Sequence, residues 1–350
     1  MLQFLLKRLL NGLLVILGVA ITVFLIFQVL PGDPAQMAMG QRSDVSSIDA
    51  INKEFYLDRS LPEQLTLYLN DLSPIGIHPT EDVVEKYEGS SLITFGSKSL
   101  TLKTPYLRRS IQSNRLVFEI LTDRLAGTLV LAISSMIFAC IVGIIMGILA
   151  ALKHNTAIDH ALVSISALGI SAPSFVAATL IAYFFAVKWH DFTGLNLTGH
   201  LFETHAFTGR ELMLKNLILP ALTLGIRPLA IITQLTRSSM LDVMSQDYIR
   251  TAKAKGLNNK TIVVKHALKN ALNPVITAVS GWLASLMAGA FFIEYIFGWK
   301  GLGSVTIEAV FSLDFPVVMG ATLFIATVFV IVNLLVDVIY GIIDPRIKLS

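Results

Sequence analysis

The sequence predicts an all-α polytopic membrane protein with six transmembrane helices and a mixed extracytoplasmic insertion between helices 1 and 2. Its 350 residues are 54% hydrophobic and 15% charged, with a mean hydropathy of +0.70. Soluble domains are about 45–50% apolar and about 25% charged, so this composition excludes an ordinary soluble domain. The charges are unevenly placed, because residues 31–124 hold 10 of the 27 basic and 13 of the 24 acidic side chains. A polar segment therefore interrupts an apolar chain.

Six apolar runs are the candidate transmembrane helices. A bilayer core about 30 Å thick is crossed by about 20 helical residues, at about 1.5 Å per residue. Five uncharged runs approach or exceed that length, and a sixth is interrupted by Arg227 and Pro228. In chain order, the six runs cover residues 9–30, 126–152, 161–187, 217–236, 275–293 and 316–336.

The first run is predicted to be an uncleaved membrane anchor. Its apolar stretch is longer than the 7–15 residues of a typical signal peptide, and no small-residue cleavage site follows it. We therefore expect residues 1–30 to form the N-terminus and transmembrane helix 1. Residues 125–350 then form a core of five further transmembrane helices.

The distribution of basic residues predicts the orientation. With six spans both termini share one side, and short loops rich in Lys and Arg face the cytoplasm. Twelve basic residues fall on the side of the termini, among them Lys7, Lys153 and Arg346, against four acidic residues. Both termini are therefore expected in the cytoplasm, and residues 31–124 outside it. Within 31–124, apolar spacing predicts helices over 48–57 and 61–69 and a strand from Ser91 to Leu102.

Residues 238–273 form the most informative predicted cytoplasmic loop. Asp247 is placed to cap a short helix, and Gly256 suits the left-handed position that ends one. A second helix is predicted over 260–272, stopping before Pro274. The expected product is two short helices joined by a glycine turn beside the membrane.

Several function classes find no support in the sequence. The net charge of +3 comes without the basic tract typical of nucleic acid binding. The lone Cys140 excludes an internal disulfide and a cysteine metal cluster. His190, His200 and His205 share a predicted outer loop, but their spacing fits no standard ligand pattern. A nucleotide-binding P-loop requires a Gly-Lys pair, and the chain contains none. No catalytic residues are therefore assigned.

The order of residues in the cytoplasmic loop resembles one known family. Tyr248-Ile-Arg-Thr-Ala-Lys-Ala-Lys-Gly256 is similar to the Glu-Ala-Ala-x-x-x-Gly coupling loop of ABC importer membrane subunits, in the version seen in dipeptide and oligopeptide permeases. Arg250 and Thr251 replace the first two residues of that motif, and Ala252 and Gly256 keep the small positions. Further family-like segments follow in the expected order: Leu30-Pro-Gly-Asp-Pro34, Ser171-Ala-Pro-Ser-Phe175, Leu219-Pro-Ala-Leu-Thr-Leu-Gly225, Leu235-Thr-Arg-Ser-Ser-Met-Leu241, Glu294-Tyr-Ile-Phe-Gly-Trp-Lys-Gly-Leu-Gly303, Asp314-Phe-Pro-Val-Val-Met-Gly320 and Asp344-Pro-Arg346.

The resemblance is to the first-permease type of the dipeptide, oligopeptide and nickel permeases. It implies a non-enzymatic permease subunit in the bacterial inner membrane, with ATP-Mg bound on partner subunits and no cofactor in this chain. The implied partners are a second homologous permease, two ATP-binding subunits, an extracytoplasmic substrate-binding protein and the lipid bilayer. The implied ATPase-coupling residues are Asp247, Tyr248, Arg250, Ala252, Lys255 and Gly256. Against the family pattern, residues 73–104 look like an insertion.

Ionisable residues within apolar spans are costly and are therefore candidates for the transport pathway. Arg227 is placed near mid-membrane, where it meets either a peptide carboxylate or the carbonyls and acids of another span. Glu294 is placed at the outer end of the fifth span, as a gate, a packing contact or a substrate ligand. Asp337 is read as reaching the cytoplasmic interface. Pro173 and Pro228 are expected to mark kinks whose freed carbonyls face a central cavity.

Three alternative functions remain open at this stage. The same family transports nickel and other small solutes. A secondary transporter requires its own ion or proton site, usually at broken spans or inverted repeats, and the sequence offers one mid-span arginine and no acidic relay. A sensor with residues 31–124 as its ligand domain would need a cytoplasmic signalling domain, but only seven residues follow Ile343.

Overall fold

The computed structural model describes residues 2–29, 52–205 and 209–343. These residues belong to two compact units. The first unit takes in residues 1–124 and 305–328, and the second takes in residues 125–304 and 329–350. The predicted helix over 48–57 lies partly outside the described residues, and the motifs at 30–34 and 344–346 lie outside them entirely.

Helices dominate both units. The elements up to residue 193 are α1 Leu2–Val29, α2 Leu61–Leu72, β1 Ile75–Pro79, α3 Asp82–Glu85, β2 Ser90–Phe95, β3 Lys98–Leu102, α4 Val117–Leu152, α5 Ala157–Ser171, α6 Ser174–Ile181, the π-helical segment π1 Ala182–Lys188, and α7 His190–Thr193. The remaining elements are β4 Phe202–His205, β5 Gly209–Leu212, α8 Lys215–Met244, α9 Asp247–Ala254, α10 Asn259–Thr261, π2 Ile262–Ala267, α11 Leu268–Ala271, α12 Asn273–Gly289, α13 Phe291–Ile296, α14 Leu302–Phe311 and α15 Phe315–Ile343.

Four of the described helices are long and apolar enough to cross a bilayer, namely α1, α4, α8 and α15. Two bent pairs also meet that criterion when each pair is taken as one span. One pair joins α5 to the 174–188 helix with a bend of 111°, and the other joins 259–271 to α12 with a bend of 52°. The described chain thus offers four to six spans, and the predicted third span is broken rather than straight.

Two helices extend beyond the ends predicted from their apolar runs, because polar residues continue them. Helix α4 begins at Val117, nine residues before the apolar run over 126–152, and so includes Glu119 and Asp123. Helix α8 continues to Met244, which absorbs the first residues of the predicted 238–273 loop. Apolar length therefore locates these helices but not their ends.

The first unit joins helical packing to a small antiparallel sheet. Phe24 of α1 stacks on Tyr68 of α2 with 5.6 Å between ring centroids, in a cluster with Ala20 and Leu323. The sheet has the order β1-β3-β2. The strand predicted from Ser91 to Leu102 is in fact the β2-β3 hairpin, because Gly96 takes a positive φ of 60° and turns the chain. Strand β1 was not predicted.

The second unit is organised around α8. Close approach of α4 to α8 depends on two glycines, since a Cβ at Gly143 would lie 3.0 Å from the Leu229 carbonyl oxygen. A Cβ at Gly147 would lie 2.7 Å from the Thr233 carbonyl oxygen. Small residues allow such backbone contact between helices in membranes, where packing rather than the hydrophobic effect drives association.

Candidate functional site

A cavity of about 190 Å³ lies in the second unit beside the middle of α8. It sits where α5 ends and α6 begins, and α12 and α13 complete its walls. Most of its walls are apolar or small, with one cationic side chain among them. The lining residues are Gly169, Ala172, Ser174, Ala177, Thr223, Leu224, Ile226, Arg227, Trp282, Ser285, Leu286 and Ile293.

Arg227 lines this cavity with an exposed side chain. It lies twelve residues into α8, or roughly 18 Å along a helix that rises 1.5 Å per residue. Its Nη2 donates to the carbonyl oxygen of Ala172 at 3.4 Å. The sequence left open whether Arg227 meets a substrate carboxylate or a carbonyl of another helix, and the structure places it beside such a carbonyl.

The Ala172 carbonyl is available because the helix breaks there. Pro173 has no N–H to continue α5, and α6 begins again at Ser174. The predicted kink at Pro173 is therefore confirmed as a break between two helices. Pro228, in contrast, lies inside the continuous helix α8.

Glu294 lies outside the cavity lining and is fully buried. Its carboxylate accepts hydrogen bonds from Thr128 Oγ1 at 2.7 Å and from the backbone N–H groups of Gly303 at 2.7 Å and Ser304 at 3.1 Å. Gly301 packs directly on it, since an added Cβ there would lie 2.3 Å from the Glu294 Cδ. Because Gly303 and Ser304 are in the first turn of α14, Glu294 caps the positive end of that helix. Of the roles left open for Glu294, this geometry fits a packing contact.

The second candidate feature is α9, which carries most of the predicted coupling residues. Asp247 was predicted to cap this helix, but it lies in the first turn instead, and Gln246 is the N-cap. Asp247 and Arg250 form a surface ion pair at 3.4 Å, with side chains 95% and 76% exposed. Gly256 follows with a φ of +75°, which confirms the predicted left-handed turn.

One predicted contact residue faces inward. Ala252 is 6% exposed and packs with Ile249 of the same helix and with Met240, Ile262 and Ala267. Ala252 therefore serves the packing of α9 on its own chain and does not present a surface to another subunit. Its small side chain, read from the sequence as permitting approach of a partner, instead permits approach of π2.

The remaining predicted residues of this segment are accessible. Tyr248 is 42% exposed, and its hydroxyl accepts a hydrogen bond from Asn270 Nδ2 at 2.9 Å. Lys255 and Gly256 are exposed. We name the four exposed side chains Asp247, Tyr248, Arg250 and Lys255, together with Gly256, the α9 surface.

A buried ion pair between α5 and α8 was not predicted from the sequence. Arg237 of α8 binds Asp159 of α5 through two hydrogen bonds, from Nε to Oδ1 at 2.6 Å and from Nη2 to Oδ2 at 2.7 Å. The Asp159 side chain is only 1% exposed, and the Asn155 N–H also donates to it. The sequence signal was an acid and an arginine on the same predicted cytoplasmic side, but 78 residues separate them.

A polar cluster in the first unit surrounds Asp71. Its carboxylate accepts hydrogen bonds from the hydroxyls of Tyr56 and Tyr87, each at 3.0 Å. Burial raises the pKa of Asp71, while the nearby Arg108 guanidinium opposes that shift. Lys103 donates to the Asp71 carbonyl oxygen, and burial lowers the Lys103 pKa to about 8. These contacts join α2 to the sheet side of the unit.

The family of the chain follows from sequence profiles. The profile described as "Binding-protein-dependent transport system inner membrane component" matches residues 143–349. A second profile, for the N-terminal part of the same kind of membrane component, matches residues 1–132. The chain belongs to this family of transport-system inner membrane components.

Relatives of the permease family match the chain over its whole length. The dipeptide transport system permease protein DppB of Escherichia coli (strain K12) is 34% identical, over 99% of each chain. DppB of Bacillus subtilis (strain 168) is 35% identical, over 100% of this chain and 99% of its own. The di/tripeptide transport system permease protein DppB of Pseudomonas aeruginosa (strain UCBPP-PA14) is 33% identical, over 99% of each chain. Among solved structures, the MetNI methionine ABC transporter aligns at 15% identity and a TM-score of 0.49, over 65% of this chain and 97% of that one.

Family membership fixes the general role of the molecule. As an inner membrane component of an ABC transport system, this permease is a multi-pass membrane protein that works with other transporter subunits. The cavity beside α8 and the α9 surface are its two candidate functional regions.

Proposed function

We propose that this permease is a membrane-spanning subunit of an ATP-driven, binding-protein-dependent importer of di- or oligopeptides. The observation that carries the proposal is the full-length similarity, at 33–35% identity, to permeases named for dipeptide and di/tripeptide transport. A nickel or other small-solute importer is the alternative within the family. Among the described residues, no group of three or more His, Cys, Asp or Glu side chains is placed to hold a metal ion.

In this proposal the chain crosses the inner membrane six times, with both termini in the cytoplasm. The four long apolar helices support this count when each of the two bent pairs is taken as one further span. The positive-inside rule assigns the basic residues around α9 to the cytoplasm. Residues 31–124 then lie outside, where an extracytoplasmic binding protein delivers substrate. A second homologous permease completes the pathway.

The proposal assigns the α9 surface to contact with an ATP-binding subunit. Two such subunits hold ATP-Mg, and their closure moves α9 as a rigid element that is attached to α8. The exposed charges of Asp247, Arg250 and Lys255 supply hydrogen bonds to the partner. Ala252 acts from within, because its buried contacts fix α9 on the chain. Arg227 lines the substrate pathway, and Glu294 positions the adjoining turn.

Reconstitution tests the proposed function. The chain, a second permease, two ATP-binding subunits and the binding protein are placed in proteoliposomes, and uptake of a radiolabelled dipeptide and of nickel is followed. We expect dipeptide uptake that needs both ATP and the ATP-binding subunits. Nickel uptake without dipeptide uptake would favour the alternative substrate. Gradient-driven uptake by the chain alone would instead show a secondary transporter.

A further inference from the structure

The wall of the cavity beside α8 includes the positively charged side chain of Arg227. Arg227 is its one charged lining residue among those the structure describes, and no carboxylate lines the wall. Glu294 follows the wall residue Ile293 but is not itself part of the lining. Its carboxylate already accepts hydrogen bonds from Thr128, Gly303 and Ser304. A guanidinium at this depth is costly unless it is paired or hydrated.

The guanidinium has unused hydrogen-bonding capacity. Arginine offers five N–H donors in a planar fork. Within the described part of the chain, its one acceptor is the Ala172 carbonyl oxygen, at the long distance of 3.4 Å. That contact holds one edge of the group near the α5–α6 break, and the other donors have no acceptor among the described residues. An arginine fork fits a carboxylate through two parallel hydrogen bonds.

The other walls suit a ligand whose side chains vary. Ala172, Ala177, Leu224 and Leu286 give small or aliphatic surface, and Trp282 gives a flat aromatic one. Ser174 and Ser285 add hydroxyl groups at the same cavity. Apolar and aromatic walls form few directional contacts with a ligand. The Arg227 guanidinium is therefore the group that selects one chemical feature of the ligand.

We propose that Arg227 binds the α-carboxylate of the transported peptide, the anionic group that every unmodified peptide carries. The inference rests on the proposed function, because it assumes that the permease moves peptides through this cavity. It assigns specificity to the C-terminal end of the peptide rather than to its side chains. A peptide with an amidated C-terminus lacks the second anionic oxygen and cannot form the paired contact.

The test compares three variants in the complete reconstituted importer, at saturating concentrations of binding protein loaded with a dipeptide. Arg227→Gln should lower the maximal uptake rate at least tenfold, and Arg227→Lys should lower it less because the charge remains. Lys153→Gln is the control, since Lys153 is an exposed cation that does not line the cavity. Its uptake should equal that of the wild type. Wild-type uptake by Arg227→Gln would overturn the inference.

A second measurement uses only the wild-type protein, so it tests the inference even if the Arg227→Gln variant does not assemble. The melting temperature of the purified wild-type complex is measured with millimolar dipeptide and with the same dipeptide as its C-terminal amide. The free acid should raise the melting temperature more than the amide does. Equal shifts, including no shift with either, would overturn the inference. If the wild-type importer moves no peptide at all, the proposed function is wrong instead.

Discussion

At the scale of single residues, the buried carboxylates Glu294 and Asp159 each have local hydrogen-bond partners. Glu294 is the clearest case, because its carboxylate receives a hydroxyl and two helix-terminal N–H groups. Asp159 is another, since it receives a bidentate arginine. Such groups are costly when one partner is removed, which makes them sensitive to small substitutions.

Replacing Glu294 tests its role as a cap. In Glu294→Gln, one oxygen remains to accept hydrogen bonds, so either Thr128 or the pair Gly303 and Ser304 loses its acceptor, and the negative charge at the start of α14 is lost. We expect the free energy of unfolding to fall by about 2 kcal/mol, which is the typical contribution of a hydrogen bond to a charged group. The melting temperature of the purified complex should fall accordingly. Glu308→Gln, at an exposed position of the same helix, is the control, and equal melting temperatures for the two variants would contradict the assignment.

The Asp159–Arg237 pair allows a double-mutant test. Arg237→Gln removes the arginine from the buried Asp159 carboxylate and leaves it only His154 and the Asn155 N–H as partners, so the free energy of unfolding should fall by up to about 3 kcal/mol. Asp159→Asn combined with Arg237→Gln removes both charges and should recover part of that loss. Thermal unfolding of the three variants provides the comparison. A double variant less stable than Arg237→Gln alone would show that the ion pair is not the source of the effect.

At the scale of elements, the sequence located the helices better than the contacts between them. Uninterrupted apolar length predicted α1, α4, α12 and α15, and Pro173 predicted a disturbance of the third span. The 111° bend was not predictable, because it depends on how α5 and α6 pack in three dimensions. Thr128 and Glu294 lie 166 residues apart in sequence, so no local pattern could reveal their contact.

The turn after α9 gives a prediction based on backbone conformation alone. Gly256 has a φ of +75°, and no atom lies within 4 Å of where its Cβ would be. Only backbone strain therefore opposes a larger residue, and Asn tolerates this conformation far better than the β-branched Val. Gly256→Val should insert normally but lower the ATP hydrolysis stimulated by loaded binding protein, whereas Gly256→Asn should stay near the wild type. Equal hydrolysis by both variants would mean that the turn does not contribute to coupling.

At the scale of the whole molecule, the proposal links two regions of one unit. Helix α8 carries Arg227 at the cavity, and its C-terminal end leads directly into α9. A displacement of α9 by a nucleotide-binding partner would therefore be transmitted along α8 to the cavity wall. Composition predicted the membrane location of the molecule and family motifs predicted α9. The cavity itself required the fold, since five helices contribute to its walls.

Site-specific cross-linking tests the central claim that force enters through α9. Cys140, the only cysteine, is replaced by Ala, and a photoactivated cross-linker is attached at Arg250→Cys or, as a control, at Arg115→Cys in the assembled importer. The account predicts that position 250 is labelled only from the cytoplasmic side and cross-links to an ATP-binding subunit, while position 115 does neither. Labelling of position 250 from the outer side, or its cross-linking to the substrate-binding protein, would contradict the account.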